Sequence, residues 1–263
     1  MLHTFQHDGL NFTYFDNQAE GPVIVFQHGL TGDHGQTRST FTDERYRLIT
    51  LNCRGHGGSD LGPVSDLSIS QFADDVVALL DHLKLESVSV AGISLGAAMS
   101  AVLAARYPDR IKSVTLVRPA FFIRRMPESQ QVHSVVANYI EIYGAEKGLA
   151  HFRDTEVFAT LSRKSPDNVS SLINMFAMDP GRVIPLLRMM TTADPCFDTE
   201  LIRNSAIPFR VIGTLYDEIH PLAKAEEICE ALGIAHVDIA YPKTLDRERY
   251  NRDITAVMKS NTF

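Results

Sequence analysis

Residues 87–107 read Ser87-Val88-Ser89-Val90-Ala91-Gly92-Ile93-Ser94-Leu95-Gly96, followed by a small-residue run from Ala97 to Tyr107. The first five residues have strand character, and the run that follows is helical and stops before Pro108. A serine on so sharp a strand-to-helix turn needs glycine on both sides, because a Cβ there would meet crowded backbone. The turn lifts Ser94 Oγ above the sheet. The amide of Leu95, at the start of the helix, points to the same place and is suited to stabilise an oxyanion. The bare Gly-x-Ser-x-Gly pattern recurs by chance, so its position between strand and helix is what favours a nucleophile over a packing turn.

Outward from this turn the chain alternates short apolar runs with helical spacing. Phe5–Leu10 and Asn11–Phe15 flank Asp8-Gly9 and predict an N-terminal hairpin. Val23–Phe26 and Arg47–Leu51 are continuous apolar strands of the kind buried in a parallel sheet. Apolar residues at Phe72, Val76, Leu79, Leu80 and Leu83 predict a helix over 70–83, with Ser70 as its N-cap. Strands are expected at Val114–Val117, Phe209–Ile212 and Val237–Ala240. Helices are expected over Pro221–Leu232, closed by Gly233, and over Arg247–Met258. The pattern is α/β: a mostly parallel, twisted sheet with helices on both faces.

One stretch departs from it. From about Phe121 to Ser205 the spacing is helical without a convincing strand, punctuated by Ser165-Pro166-Asp167-Asn168, Asp179-Pro180-Gly181 and Asp194-Pro195. The expected organisation is a sheet core formed by residues 1–120 and 206–263, with a helical cap insertion at 121–205.

Composition narrows the function. The 263 residues are 44% hydrophobic, so the chain can bury enough surface to fold. A net charge of −7 without a basic run disfavours nucleic-acid binding. The three cysteines (Cys53, Cys196 and Cys229) form no CxxC pair and fit a reducing compartment. The N-terminus lacks the character of a secretory signal, and no apolar run approaches the roughly 20 residues of a spanning helix. A cytoplasmic enzyme acting on a small molecule is expected, with no membrane partner. The oligomeric state is open. No metal-ligand spacing, phosphate loop or dinucleotide motif occurs, so no metal and no cofactor are expected.

Several motifs, taken in order, resemble the α/β-hydrolase family. Strand Val23–Phe26 ends in Gln27-His28-Gly29-Leu30-Thr31-Gly32, where the family's His-Gly pair precedes an amide of the oxyanion hole. The resemblance assigns that amide to Leu30, and His28 is kept as a pocket residue or a loop-holding one. Asn52-Cys53-Arg54-Gly55-His56-Gly57-Gly58-Ser59-Asp60 is similar to the family's glycine-rich loop, with Arg54 and His56 read as scaffolding. The family's triad carboxylate falls after the strand Phe209–Ile212, at Asp217, with Glu218 as the neighbouring alternative. These likenesses imply the α/β-hydrolase fold and a serine hydrolase, esterase-like, acting on a small or medium apolar ester, thioester or lactone. The runner-up is a carbon–carbon bond hydrolase or lyase on the same scaffold.

The resemblance fails at one residue. The family's histidine follows the last strand, yet no histidine occurs between Val237 and Phe263. Serine is a weak nucleophile without an adjacent base. Three readings remain open. His220 lies three residues beyond Asp217, a span of at most about 10 Å, within reach of Ser94. Lys243, close to the vacated position, is a base if burial lowers its pKa. Otherwise the chain binds a ligand without hydrolysing it. For the pocket, Phe121 and Phe122 are expected as wall, and Arg118 as an anchor for a carboxylate or oxyanion. The methionines and phenylalanines of the insertion, Met175 and Met190 among them, offer an apolar lining or a core for the cap.

Overall fold

The structure, a computed structural model, describes residues 1–120, 128–194 and 199–262. Its elements in chain order begin with strands β1 (Leu2–His7), β2 (Leu10–Asp16) and β3 (Val23–Gln27), then helix α1 (His34–Thr40) and β4 (Arg47–Leu51). Helix α2 (Ile69–His82), β5 (Val88–Ile93), α3 (Leu95–Arg106) and β6 (Ile111–Val117) follow. Next come helices α4 (Val132–Arg153), α5 (Glu156–Lys164), α6 (Pro166–Met175), α7 (Pro180–Thr192) and α8 (Thr199–Asn204). The chain then returns to the sheet through β7 (Phe209–Thr214), α9 (Leu222–Leu232), β8 (Asp238–Ala240) and α10 (Arg247–Ser260).

These strands form an 8-stranded sheet in the order β1-β2-β4-β3-β5-β6-β7-β8. The β1–β2 hairpin is antiparallel and β2 pairs antiparallel with β4, while every later pair is parallel. β3 leads to β4 on one side, and β5 then lies on the other. Strand order therefore reverses at β3–β5, and the crevice beyond the carboxyl ends of such strands is where α/β sheets bind ligands.

Each face of the sheet has its own apolar layer. On one, Phe72, Val76, Leu79 and Leu80 of α2 pack with Val25, Val90 and the alanines of α3. On the other, Tyr250, Ile254 and Met258 of α10 meet Ile24, Phe26 and Ile212. Full burial of each large side chain contributes about 1.5–3 kcal/mol. α3 is buried nearly all round, which explains its small residues: the helix lies against β3, β5, β6 and α2.

The expected α2 cap differs. Ser68, two residues earlier than read from the sequence, accepts from the Gln71 amide at 3.0 Å, because the helix begins at Ile69. Between β6 and β7 the described residues are helical. Val136, Ile140, Phe152, Leu172, Val183 and Leu187 form a separate apolar cluster there. The end of α7 and α8 instead join the main core, through Met189, Met190, Ala193 and Ile202. No described helix is long and apolar enough to cross a membrane.

Candidate active site

The turn between β5 and α3 is as tight as its glycines imply. Ser94 adopts φ 55° and ψ −107°. A Cβ on Gly92 would lie 2.0 Å from the Gly96 carbonyl carbon, and one on Gly96 would lie 2.4 Å from Gln27 O. Residues of positive φ also follow the other strands that end here: Thr31 (59°) after β3, Arg118 (48°) after β6 and Tyr216 (58°) after β7. Left-handed backbone at non-glycine residues persists where surrounding structure holds it, and functional sites concentrate it.

Ser94 Oγ lies 2.8 Å from His220 Nε2. His220 Nδ1 is 3.0 Å from Asp217 Oδ1, and the His220 amide donates to the same oxygen at 2.9 Å. With Nδ1–H donating to the carboxylate, Nε2 presents its lone pair to the serine hydroxyl. The three residues chosen from the sequence thus form one continuous hydrogen-bonded chain. His220 lies between Ser94 and Asp217, three residues along the chain from the latter. Lys243 instead forms an ion pair with Asp167, Nζ to Oδ2, at 2.7 Å.

Asp217 is saturated with donors. Arg118 donates to Oδ2 from Nε at 2.6 Å, with Nη2 2.5 Å from the same oxygen, and Asn168 Nδ2 donates to Oδ1 at 3.0 Å. Burial alone would raise the carboxyl pKa, but Arg118 and His220 outweigh it and hold it well below the usual carboxylate range. His220 is pushed below its ordinary value, by burial first and by Arg118 in addition, against the opposing pull of Asp217. Neutral imidazole is the form that accepts a proton.

The loop carrying Asp217 and His220 is fastened from the helical segment. Asn168 Oδ1 accepts from the amides of Glu218 and Ile219, both at 3.0 Å. Ser165 Oγ accepts from Glu218 N at 2.9 Å, and Gln130 Nε2 donates to Ile219 O at 2.7 Å. Sequence reasoning missed these three. Ser165 and Asn168 were legible as helix-start punctuation, and nothing local indicates their distant partners.

The loop after β3 is pinned equally well. Gly29 N donates to Gln36 Oε1 at 2.7 Å and Thr31 N to His56 Nε2 at 3.1 Å. Among the described residues no acceptor is found for the Leu30 N–H. Leu95, as the first residue of α3, has an amide without an intrahelical partner.

His28 does not line the cavity. It is fully buried, accepts from Cys53 N at 3.1 Å through Nε2, and has Nδ1 2.8 Å from Gly29 O, which makes it a fastener of the loop. Arg54 likewise serves as scaffold, gripping Asp75 of α2 at 2.7 and 2.8 Å. Arg118 does reach the cavity, but its guanidinium is committed to Asp217 rather than free as an anchor. Phe121 and Phe122 lie outside the described residues.

Over Ser94 lies a cavity of about 70 Å³, whose walls include Leu30, His133, Met175, Met190, His220 and Lys243. Met175 and Met190 are the expected apolar lining, whereas Phe152 and Phe176 pack in the cluster of the helical segment. His133, with no sequence signal of a role, is buried beside His220. Among the described residues no group of side chains has the make-up of a metal site.

Comparison with known proteins agrees with this architecture. A family profile described as the α/β hydrolase fold matches residues 22–140. 3-Oxoadipate enol-lactonase 2 of Acinetobacter baylyi is 25% identical over 97% of this chain and 95% of its own length. 3-Oxoadipate enol-lactonase 1 of the same organism is 33% identical, but over 38% of this chain and 37% of its own. Among solved structures, an enol-lactonase from Burkholderia xenovorans LB400 superposes with a TM-score of 0.72 at 20% identity, covering 98% of this chain and 100% of that one. With its sheet order, its strained serine turn and these matches, the chain has the α/β-hydrolase fold.

Proposed function

We propose that this chain is a serine hydrolase that cleaves a small or medium ester, thioester or lactone through an acyl-enzyme. The observation that carries the reading is the unbroken chain Ser94 Oγ–His220 Nε2, His220 Nδ1–Asp217 Oδ1. In it, His220 takes the hydroxyl proton as Ser94 Oγ bonds to the substrate carbonyl carbon. Leu30 and Leu95 amides stabilise the resulting oxyanion. As the tetrahedral intermediate collapses, the carbon–leaving-group bond breaks and His220 returns its proton to the leaving oxygen or sulfur. A water, deprotonated by His220, then releases the acid and restores Ser94. Asp217 keeps the imidazole in the required tautomer and stabilises its transient charge.

Residues 121–205 act as the cap over this site, with Met175 and Met190 supplying apolar wall. The lactonase names of the relatives support an acyl-oxygen bond as the target. A fluorophosphonate probe tests the reading. Labelling of the wild type that disappears in Ser94→Ala is expected, together with turnover of a 4-nitrophenyl ester. Wild-type protein that neither labels nor turns over such esters would overturn it.

A further inference from the structure

Beside the cavity over Ser94 lies a second and larger one, of about 330 Å³, between α1 and α10. The two share Gln36, Ile93, Arg118 and Lys243 as wall, so they adjoin one another. The second cavity is cationic and polar. Arg118, Lys243 and Arg247 line it together with Ser39 and Asn251, and no carboxylate is among its lining residues.

Its charges do not balance. Asp217 compensates Arg118 at 2.5 Å. A single carboxylate, Asp167, serves both other cations, 2.7 Å from Lys243 Nζ and 3.8 Å from Arg247 Nη2. One positive charge is left over, on groups that face the space. Lys243 is largely buried, with a side-chain exposure of 19%, so its ammonium is poorly served by solvent. Burial first, then Arg118, pushes its pKa down, against the pull of Asp167. An anion arriving there would supply what the lysine lacks. The walls are steady, because Asn251 Nδ2 donates to Ser39 O at 2.8 Å and Thr255 Oγ1 to Thr40 O at 3.0 Å, joining α10 to α1.

We propose that this second cavity is an anion subsite in which Lys243 and Arg247 hold a carboxylate of the substrate while its ester or lactone carbonyl lies at Ser94. The inference rests on the serine-hydrolase reading above and narrows it to substrates bearing a negative charge. Gln36, Ser39 and Asn251 supply the polar surroundings, and Lys243, common to both cavities, links the subsite to the reacting bond.

The test compares the mono-4-nitrophenyl ester of succinic acid with its neutral methyl ester. Wild-type protein should favour the anionic ester by about tenfold or more in kcat/KM, as expected for one charge-assisted hydrogen bond. In Arg247→Gln and Lys243→Gln that ratio should fall by about tenfold, mainly through KM of the anionic ester. Lys243→Arg should restore part of it. A ratio near one in the wild type, or one that both variants leave unaltered, would overturn the subsite. Arg247 is largely exposed, so its replacement spares the fold. Calorimetric titration with succinate reads the subsite without turnover. If the wild type hydrolyses neither ester, the serine-hydrolase reading fails. In that case succinate binding that Arg247→Gln weakens still supports the subsite, and no binding overturns it as well.

Discussion

Arg118 grips a single oxygen of Asp217, Oδ2, and leaves Oδ1 to His220. The two oxygens of one carboxylate are thereby divided between a structural cation and the imidazole. Replacing Arg118 would leave a buried carboxylate without its counter-charge, a loss of about 3–5 kcal/mol. Arg118→Lys keeps the charge but not the two-nitrogen grip. Its kcat is expected to fall about tenfold or more, since a mispositioned acid misorients the base. Stopped kinetics on a chromogenic ester, with urea unfolding alongside, separate the two effects.

The acid limb of the pH–rate profile follows from His220. Its pKa is depressed by burial and by Arg118, so the base remains neutral below the ordinary histidine value. Activity should rise with pH through that depressed pKa, so the midpoint of the limb should lie below about pH 6.5, the unperturbed value. Loss of Arg118 removes one depressing influence, and in Arg118→Met the limb should move to higher pH. A limb that stays in place would refute the coupling.

In the proposed reaction Ser94 and His220 act as a unit, so their losses should not add. Ser94→Ala and His220→Ala are each expected to lower kcat by about 10⁴–10⁶, and the double variant no further. A multiplicative loss in the double variant would show that His220 works independently of the serine. Lys243, ion-paired with Asp167, should not rescue His220→Ala at any pH.

Asn168 holds the acid loop from α6 through three hydrogen bonds, to Asp217, Glu218 and Ile219. Asn168→Ala leaves the buried Ile219 amide unsatisfied, Glu218 N with Ser165 Oγ as its one remaining partner, and one carboxylate contact unmade. A cost of about 2–4 kcal/mol in unfolding free energy is expected, with kcat reduced because the loop loosens. Asn168→Asp would set a second carboxylate 3.0 Å from Asp217 Oδ1 and should be worse than alanine.

Three buried histidines make stability depend on pH. His28 is pushed down to about 4, His56 to about 3 and His133 to about 4, in each case chiefly by burial. The unfolded chain protonates them near 6.5, so below that pH the unfolded state binds more protons than the folded one. Stability should therefore be complete above pH 6.5 and fall toward pH 4, by about 1.4 kcal/mol per pH unit for each histidine titrating. Urea midpoints at pH 7.5 and 5.0 measure the slope. Replacing His133 by Phe should reduce it.

Periodicity and turn chemistry are local, and they located the hairpin, the strands β3 to β7 and the helices α2, α3, α9 and α10 to within a few residues. The error at Ser70 is of the same local kind: two serines compete for one cap, and the choice falls to the one whose hydroxyl meets the Gln71 amide. Long-range partners carry no such signal. Nothing near Arg118 announces Asp217, 99 residues on, and nothing near His28 announces the Cys53 amide, 25 residues away.

The sequence by itself determined the serine. Gly92 admits no Cβ against the backbone of Gly96 and Ala97, so the turn that carries Ser94 follows from residues within five positions of one another, whereas Gly96 leaves room for the Gln27 carbonyl of the distant strand β3. It also determined that the usual histidine position after the last strand is vacant, which left His220, Lys243 or no group at all for the role. Tertiary structure alone decided which of the two residues lies at Ser94. Asn168, Ser165 and Gln130, all from the helical segment, fix the path of the loop through 217–220 and bring the imidazole to 2.8 Å from Ser94 Oγ. Asp167, from the same segment, draws Lys243 into an ion pair. Both outcomes depend on contacts between groups far apart in the chain, which close only when the helices pack over the sheet.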